Sequence, residues 1–216
     1  MRAAKFCLCL CSMLFFAQPA SSLDDPKAAH AKYDELAAKV RSGDLNIDWK
    51  ALRLSARAGE VYAGYDPDDA AKRAQASFAK GDFEGALKIS QETEQHNIAD
   101  GDAHAVAFIS LKQLGRNSEA ANEWSILQAL LQSILKSGDG KSAKKAWFVV
   151  DTREENLLLK AIHVQFKERN SRKLDGHYYD AVLVTDQFGD DILTWFNTDT
   201  ETEILARAGT EGHPIH

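Results

Sequence analysis

Cysteine is nearly absent from this 216-residue chain: its three copies, Cys7, Cys9 and Cys11, all lie within the first eleven residues. Nothing downstream can therefore form a disulfide, a thiolate metal site or a cysteine nucleophile. Basic charge is also short, with 26 Lys and Arg against 32 Asp and Glu and a formal net charge of −6. A surface that neutralises phosphates needs clustered basic residues, so nucleic acid and anionic lipid are poor partners. Long apolar runs are missing after the N-terminus, and no later segment approaches the roughly 18 residues that a membrane span requires. HExxH, GxSxG and paired histidines at ligand spacing do not occur, so the sequence predicts no metal, no cofactor and none of the familiar hydrolase sites.

The first 22 residues have the makeup of an export leader. Arg2 and Lys5 precede an uncharged stretch from Phe6 to Ala17, and small residues follow at Ala20 and Ser22. That order predicts cleavage after Ser22, with Ala20 as the alternative, and a periplasmic or secreted destination, with no transmembrane segment in the mature chain. The residues before the three cysteines are bulky (Phe6, Leu8, Leu10), which argues against a lipid anchor. Removing Arg2 and Lys5 leaves 24 basic residues against 32 acidic ones, a formal charge of −8.

The rest reads as two unlike parts, a helical region over 23–140 and a small α+β region over 141–208, before a loose tail at 209–216. Tyr33, Leu36, Ala37 and Val40 recur at the spacing of one helical face. Asp48 and the pair Asp66-Pro67 are helix-start signals, the second because proline at the first helical position forgoes an N–H that has no partner there. The stretches Lys80–Ala86 (KGDFEGA) and Leu114–Ala120 (LGRNSEA) are offset by 34 residues, aligning Gly81 with Gly115 and Ala86 with Ala120. A 34-residue period of that kind is tetratricopeptide-like: glycine turns the chain and alanine lets the next helix approach. An irregular bundle with a coincidental period is the other reading. Two such hairpins are few for a repeat array, so the broad apolar face of the helix holding Trp124, Leu127, Leu131 and Leu135 predicts a cover, supplied by the C-terminal third.

After Gly140 the pattern becomes strand-like. "AWFVV" at 146–150, "HVQFKER" at 163–169, "YYDAVLVTD" at 178–186 and "DILTWF" at 191–196 predict a small antiparallel sheet. One helix lies over Arg153–His163, and a hairpin turn at Gln187–Asp190. The stretch "SGDGKS" at 137–142 ends like a phosphate-binding loop, but the glycine required five residues before Gly140 is Leu135, and a helix rather than a strand precedes it. It predicts a turn and no nucleotide.

Five side chains are candidate binding residues: His104, Asp139, Glu154, Glu155 and His177. Asp102 and His104, two apart on a helix, diverge too far to meet on one atom, so His104 is expected at a helix contact. Glu154 and Glu155 open a helix, where acidic residues complement its dipole. His177 and Tyr179 share one face of a strand.

The stretches SGDLNIDWKALR, AKGDFEGALKI, DAHAVAFISLKQLG, ILKSGDGKSAKKAWFVV, REENLLL and YYDAVLV with TWFNTD resemble, in that order, the bacterial family called domain of unknown function 4919. The likeness runs from Tyr33 to Asp199, and SGDG followed by an apolar strand and a Glu-Glu pair is its most specific part. Family members usually carry an aromatic residue after the Glu-Glu pair, where this chain has Asn156. The resemblance implies export and a helical-then-strand layout, and transfers no catalytic residue. Together these readings predict an envelope interaction module that takes another envelope protein or a peptide. The alternative is a hydrolase or other enzyme with a carboxylate site between the two parts.

Overall fold

The structure, a computed structural model, describes residues 25–210. The predicted export leader and its expected cleavage site, and the tail from 211 onward, lie outside the described residues. Within them no helix is long and apolar enough to cross a membrane.

Three helical hairpins come first: α1 (Pro26–Arg41) with α2 (Trp49–Ala58), α3 (Pro67–Ala79) with α4 (Phe83–His96), and α5 (Gly101–Gln113) with α6 (Asn117–Leu135). The starts follow from the residues there. Asp48 caps α2 by accepting from Ala51 N, and Asp66 caps α3 by accepting from Asp68 N and Asp69 N, with Pro67 at the first position. Buried Tyr33, Leu36, Ala37 and Val40 of α1 meet Leu52 and Ala56 of α2 and Ile98, with Ile126 of α6 against them.

The 34-residue period is a structural repeat of the backbone. Gly81 N donates to Phe78 O and Asp82 N to Ser77 O, and, 34 positions on, Gly115 N donates to Lys112 O and Arg116 N to Leu111 O. Gly81 and Gly115 have φ of +76° and +74° with open space around each, so it is the left-handed backbone and not crowding that calls for glycine. Ala86 and Ala120 are both fully buried at the seams. The α4 helix packs on α5 as closely as each hairpin packs on itself, which is how stacked hairpins bury a continuous core.

The C-terminal part is a four-stranded sheet in the order β1-β4-β3-β2, built from β1 (Trp147–Phe148), β2 (Gln165–Leu174), β3 (His177–Thr185) and β4 (Asp191–Asn197), with α7 (Thr152–Ala161) between β1 and β2. The β2, β3 and β4 strands form the expected antiparallel meander, with the turn at 187–190. Two features depart from expectation. The β1 strand shrinks to two residues and pairs in parallel with β4, because the chain crosses the sheet through α7 and two hairpins before returning beside it. A second helix, α8 (Asp199–Thr210), follows β4, closing with two helices a part expected to hold one.

Val182 and Val184 of β3, Phe196 of β4, Leu158 and Leu159 of α7 and Ile134 of α6 make the second core. The sheet thus covers only the C-terminal end of α6. Trp124 remains 41% exposed, leaning on Phe108 with ring centroids 5.1 Å apart. The expectation that strands seal the Trp124 face is corrected: Leu127, Leu130 and Ile134 carry the buried stripe, and Trp124 lies outside it. The β2 strand is the free edge of the sheet, exposed along nearly all its length and interrupted by a register shift between Phe166 and Glu168.

Candidate functional site

The segments DWKALR and Glu-Glu, far apart in sequence, meet at one buried arginine. Arg53 of α2 is 1% exposed. Its Nε donates to Glu154 Oε1 at 2.6 Å, its Nη2 to Glu154 Oε2 at 2.5 Å and to Phe148 O at 3.1 Å, and its Nη1 to Ser133 Oγ at 2.8 Å. One side chain therefore ties α2, α6, β1 and α7. Glu154 Oε2 also accepts from Val150 N, and Asp151 caps α7 through Glu154 N. The planar fork of a guanidinium suits this two-pronged grip, which a lysine cannot reproduce.

The SGDGKS stretch is the turn that delivers β1 to that node. Ser137 Oγ donates to Ile134 O and accepts from Phe148 N, while Asp139 N and Gly140 N both donate to Lys145 O. A Cβ on Gly138 would meet the carbonyls of Lys145 and Ala146 at 2.4–2.5 Å, so the position admits only glycine. Helix α6 precedes the loop, and the amides of Asp139 and Gly140 close on one carbonyl of the same turn. The chain belongs to the DUF4919 family. Residues 46–199 match that family, described as a domain of unknown function, and the matched segment holds every member of the Arg53 node. No curated protein and no solved structure matches the chain.

One recess of this DUF4919 chain adjoins the node, and a second adjoins the first. The first, a cleft of about 260 Å³, is lined by Arg57 of α2, Val61 and Tyr62 after it, Asp100 at the cap of α5, Asp151 at the cap of α7 with Arg153 in its first turn, and Leu205 of α8. Asp100 is 4% exposed and receives both the Tyr62 hydroxyl and the Arg153 guanidinium. Burial and the Asp100 charge push the Tyr62 hydroxyl far up, and it stays protonated. Burial, with Glu154 next to it, raises Asp151 to about 6. Arg57 Nε is buried there without a hydrogen-bond partner.

The second recess, about 290 Å³, runs between α3 and α5 and ends against α7, with Ala70, Ala74, Ala103 and Val106 on its floor and Lys72, Asp102 and Lys160 at its rim. It shares Asp100, Asp102 and Arg153 with the first. Val106 carries it on into a shallow apolar end with Phe78 and Ile109. The result is one groove along the inner helices of the two repeat hairpins.

The five candidate residues are not gathered into one site. Glu154 belongs to the Arg53 node. Glu155, fully buried on the opposite side of the same helical turn, faces Asp180 of β3 and Arg169 of β2, whose Nε lies 2.9 Å from Glu155 Oε2 and 3.4 Å from Asp180 Oδ2. The 2.9 Å contact lacks hydrogen-bond alignment. Burial first, and the Asp180 charge second, raise Glu155 to about 8, so at neutral pH it holds a proton. The acidic turn of α7 thus supplies a charged carboxylate to Arg53 and a neutral carboxyl beside the Arg169–Asp180 pair.

Asp139 stays at the SGDG turn, its Oδ1 accepting from Lys141 N, which holds its carboxyl below the usual range. His177 is exposed on β3, its Nδ1 2.8 Å from Asp199 Oδ2 and its ring edge-on to Tyr179. His104 is fully buried between helices, while Asp102 pairs with Lys160 on another face. Sequence spacing missed Arg53, Asp100 and Arg153, whose side-chain partners lie 38 to 101 residues away. The DWKALR segment of the family likeness is the one signal that points to Arg53.

Proposed function

We propose that this chain is an exported interaction module of the bacterial envelope, and that it holds an extended peptide along the groove between α3 and α5. The observation that carries the reading is the continuity of that groove: one surface runs from Phe78 and Ile109 past Val106 to Arg153, and shares three side chains with the cleft beyond. Its floor of alanine and valine admits a backbone closely, and its rim offers charges of both signs. In the cleft, the unpartnered Arg57 Nε is a donor suited to a peptide carbonyl. The leader pattern at Arg2, Lys5 and Phe6–Ala17 supports export. Asp139, Glu154 and Glu155 have separate partners, so they do not favour one acid–base site built from those three.

Selection of a displayed random-peptide library on the purified protein tests the reading. Val106→Trp fills the groove and Lys72→Glu alters its rim without touching the core. Selected peptides are expected to bind the wild type and to lose about tenfold or more in affinity, some 1.4 kcal/mol, in Val106→Trp. Peptides that bind wild type and both variants alike would remove the groove from the account.

A further inference from the structure

His104 is the most deeply buried histidine among the described residues, and its surroundings differ from those of an ordinary core imidazole. It is 0% exposed on α5, between Glu94 of α4 and Glu123 of α6. Its Nε2 lies 2.9 Å from Ile98 O. A carbonyl oxygen only accepts, so Nε2 carries a hydrogen and donates it. Nδ1 then faces two carboxylates, Glu123 Oε2 at 2.6 Å and Glu94 Oε1 at 3.6 Å. Glu94 is itself only 9% exposed, and its Oε1 is buried without a hydrogen-bond partner. Three electron-rich atoms, one from each of three successive helices, therefore converge within 4.8 Å of one another. Such atoms hold a proton or a cation between them, because unscreened lone pairs at this separation repel.

We propose that Glu94, His104 and Glu123 form a binding site for a divalent transition-metal cation of the zinc class. The ring is arranged as in metal-ligating histidines, with the remote N–H pinned by a backbone carbonyl and the other nitrogen presented to the ion. One imidazole nitrogen with two carboxylate oxygens suits a borderline cation better than magnesium or calcium, which favour all-oxygen shells. Bonds of about 2.0–2.1 Å in tetrahedral geometry place ligand atoms about 3.3 Å apart, so Glu123 has to retreat slightly and Glu94 to advance. Both carboxylates retain a little exposure, 11% and 16% of their side chains, which gives the ion a way in from solvent. Water completes the coordination. The site is separate from the peptide groove, and it clamps α4, α5 and α6 at the stacking of the two repeat hairpins.

The test is calorimetric titration of the chelator-treated protein with Zn2+, together with thermal melting with and without the ion. One Zn2+ per chain is expected to bind, with a rise in melting temperature that grows with free Zn2+ concentration. Glu94→Gln and Glu123→Gln keep side-chain volume and can donate to Nδ1, so each is expected to fold while weakening Zn2+ binding at least about tenfold. His177→Ala, which removes the exposed histidine beside Asp199, is expected to leave binding unchanged. Absence of stoichiometric binding in the wild type would overturn the site and leave a proton between the three groups. Undiminished binding in the Glu94→Gln, Glu123→Gln double variant would overturn it too, and an equal response to Mg2+ would overturn the assigned class of ion.

Discussion

Replacing Glu155 with Gln is expected to stabilise the protein at alkaline pH and to leave it nearly unchanged in acid. Glu155 is fully buried beneath the sheet, and the charged groups that face it are Arg169 from β2, Asp180 from β3 and Glu201 from α8. Burial and the like charges outweigh the single arginine, so the folded protein keeps the proton up to about pH 8, whereas the unfolded chain releases it near 4.5. Between those values folding takes up a proton, and stability falls as pH rises, ending once pH passes the folded value. At about 1.4 kcal/mol per pKa unit, the loss between pH 4 and pH 9 is on the order of 4 kcal/mol. That is a large share of the 5–15 kcal/mol typical of a domain. A glutamine amide is neutral like the protonated acid and can donate to Asp180, while Arg169 keeps Asp180 as its partner. Urea melts of both proteins at intervals from pH 4 to pH 9 measure the effect, the difference between the two curves removing contributions from other groups. A difference that stays flat across this range, or a variant weaker than wild type at pH 9, would refute the account of a buried neutral carboxyl.

Arg53→Met strands Glu154 in its buried setting and is expected to cost about 3–5 kcal/mol by urea melt, and adding Glu154→Leu is expected to recover most of the loss. If the double variant is no better than the single, Arg53 contributes through something other than that pair. Gly81→Ala and Gly115→Ala each force a side chain into left-handed backbone with no clash around it. Each is expected to lose about 1 kcal/mol, by equal amounts, with the double variant giving the sum. Unequal losses would mean that the two turns are not equivalent.

The parts of the fold legible in sequence are those governed by neighbours along the chain. Asp48 and Asp66-Pro67 act within one helical turn, Gly81 and Gly115 within one loop, and the 187–190 turn within one hairpin. The strand after His163 reads as seven residues but runs to Leu174, and Asp175-Gly176, with φ of +51° and +89°, is the two-residue turn signal that sets its end. Helix α8 carries little apolar periodicity of its own, only Ile204 and Leu205 against the cleft, so its helicity depends on packing. The pairing of β1 with β4 and the Arg53–Glu154 grip join residues 49 and 101 positions apart, a separation at which periodicity carries no information. Glu94, His104 and Glu123 meet only because three helices stack, so no spacing rule for ligands applies to them.

The exposed edge of β2 bears on how copies of this protein behave beside one another. A ten-residue strand with unpaired backbone groups is a template on which another molecule can add a strand and begin to aggregate. Here that rim carries Lys167, Glu168, Arg172 and Lys173, and the irregularity at Lys167 breaks its regular hydrogen-bonding frame. Crowded chains meeting edge to edge would have to desolvate these charges and match a broken register, so this border resists self-association.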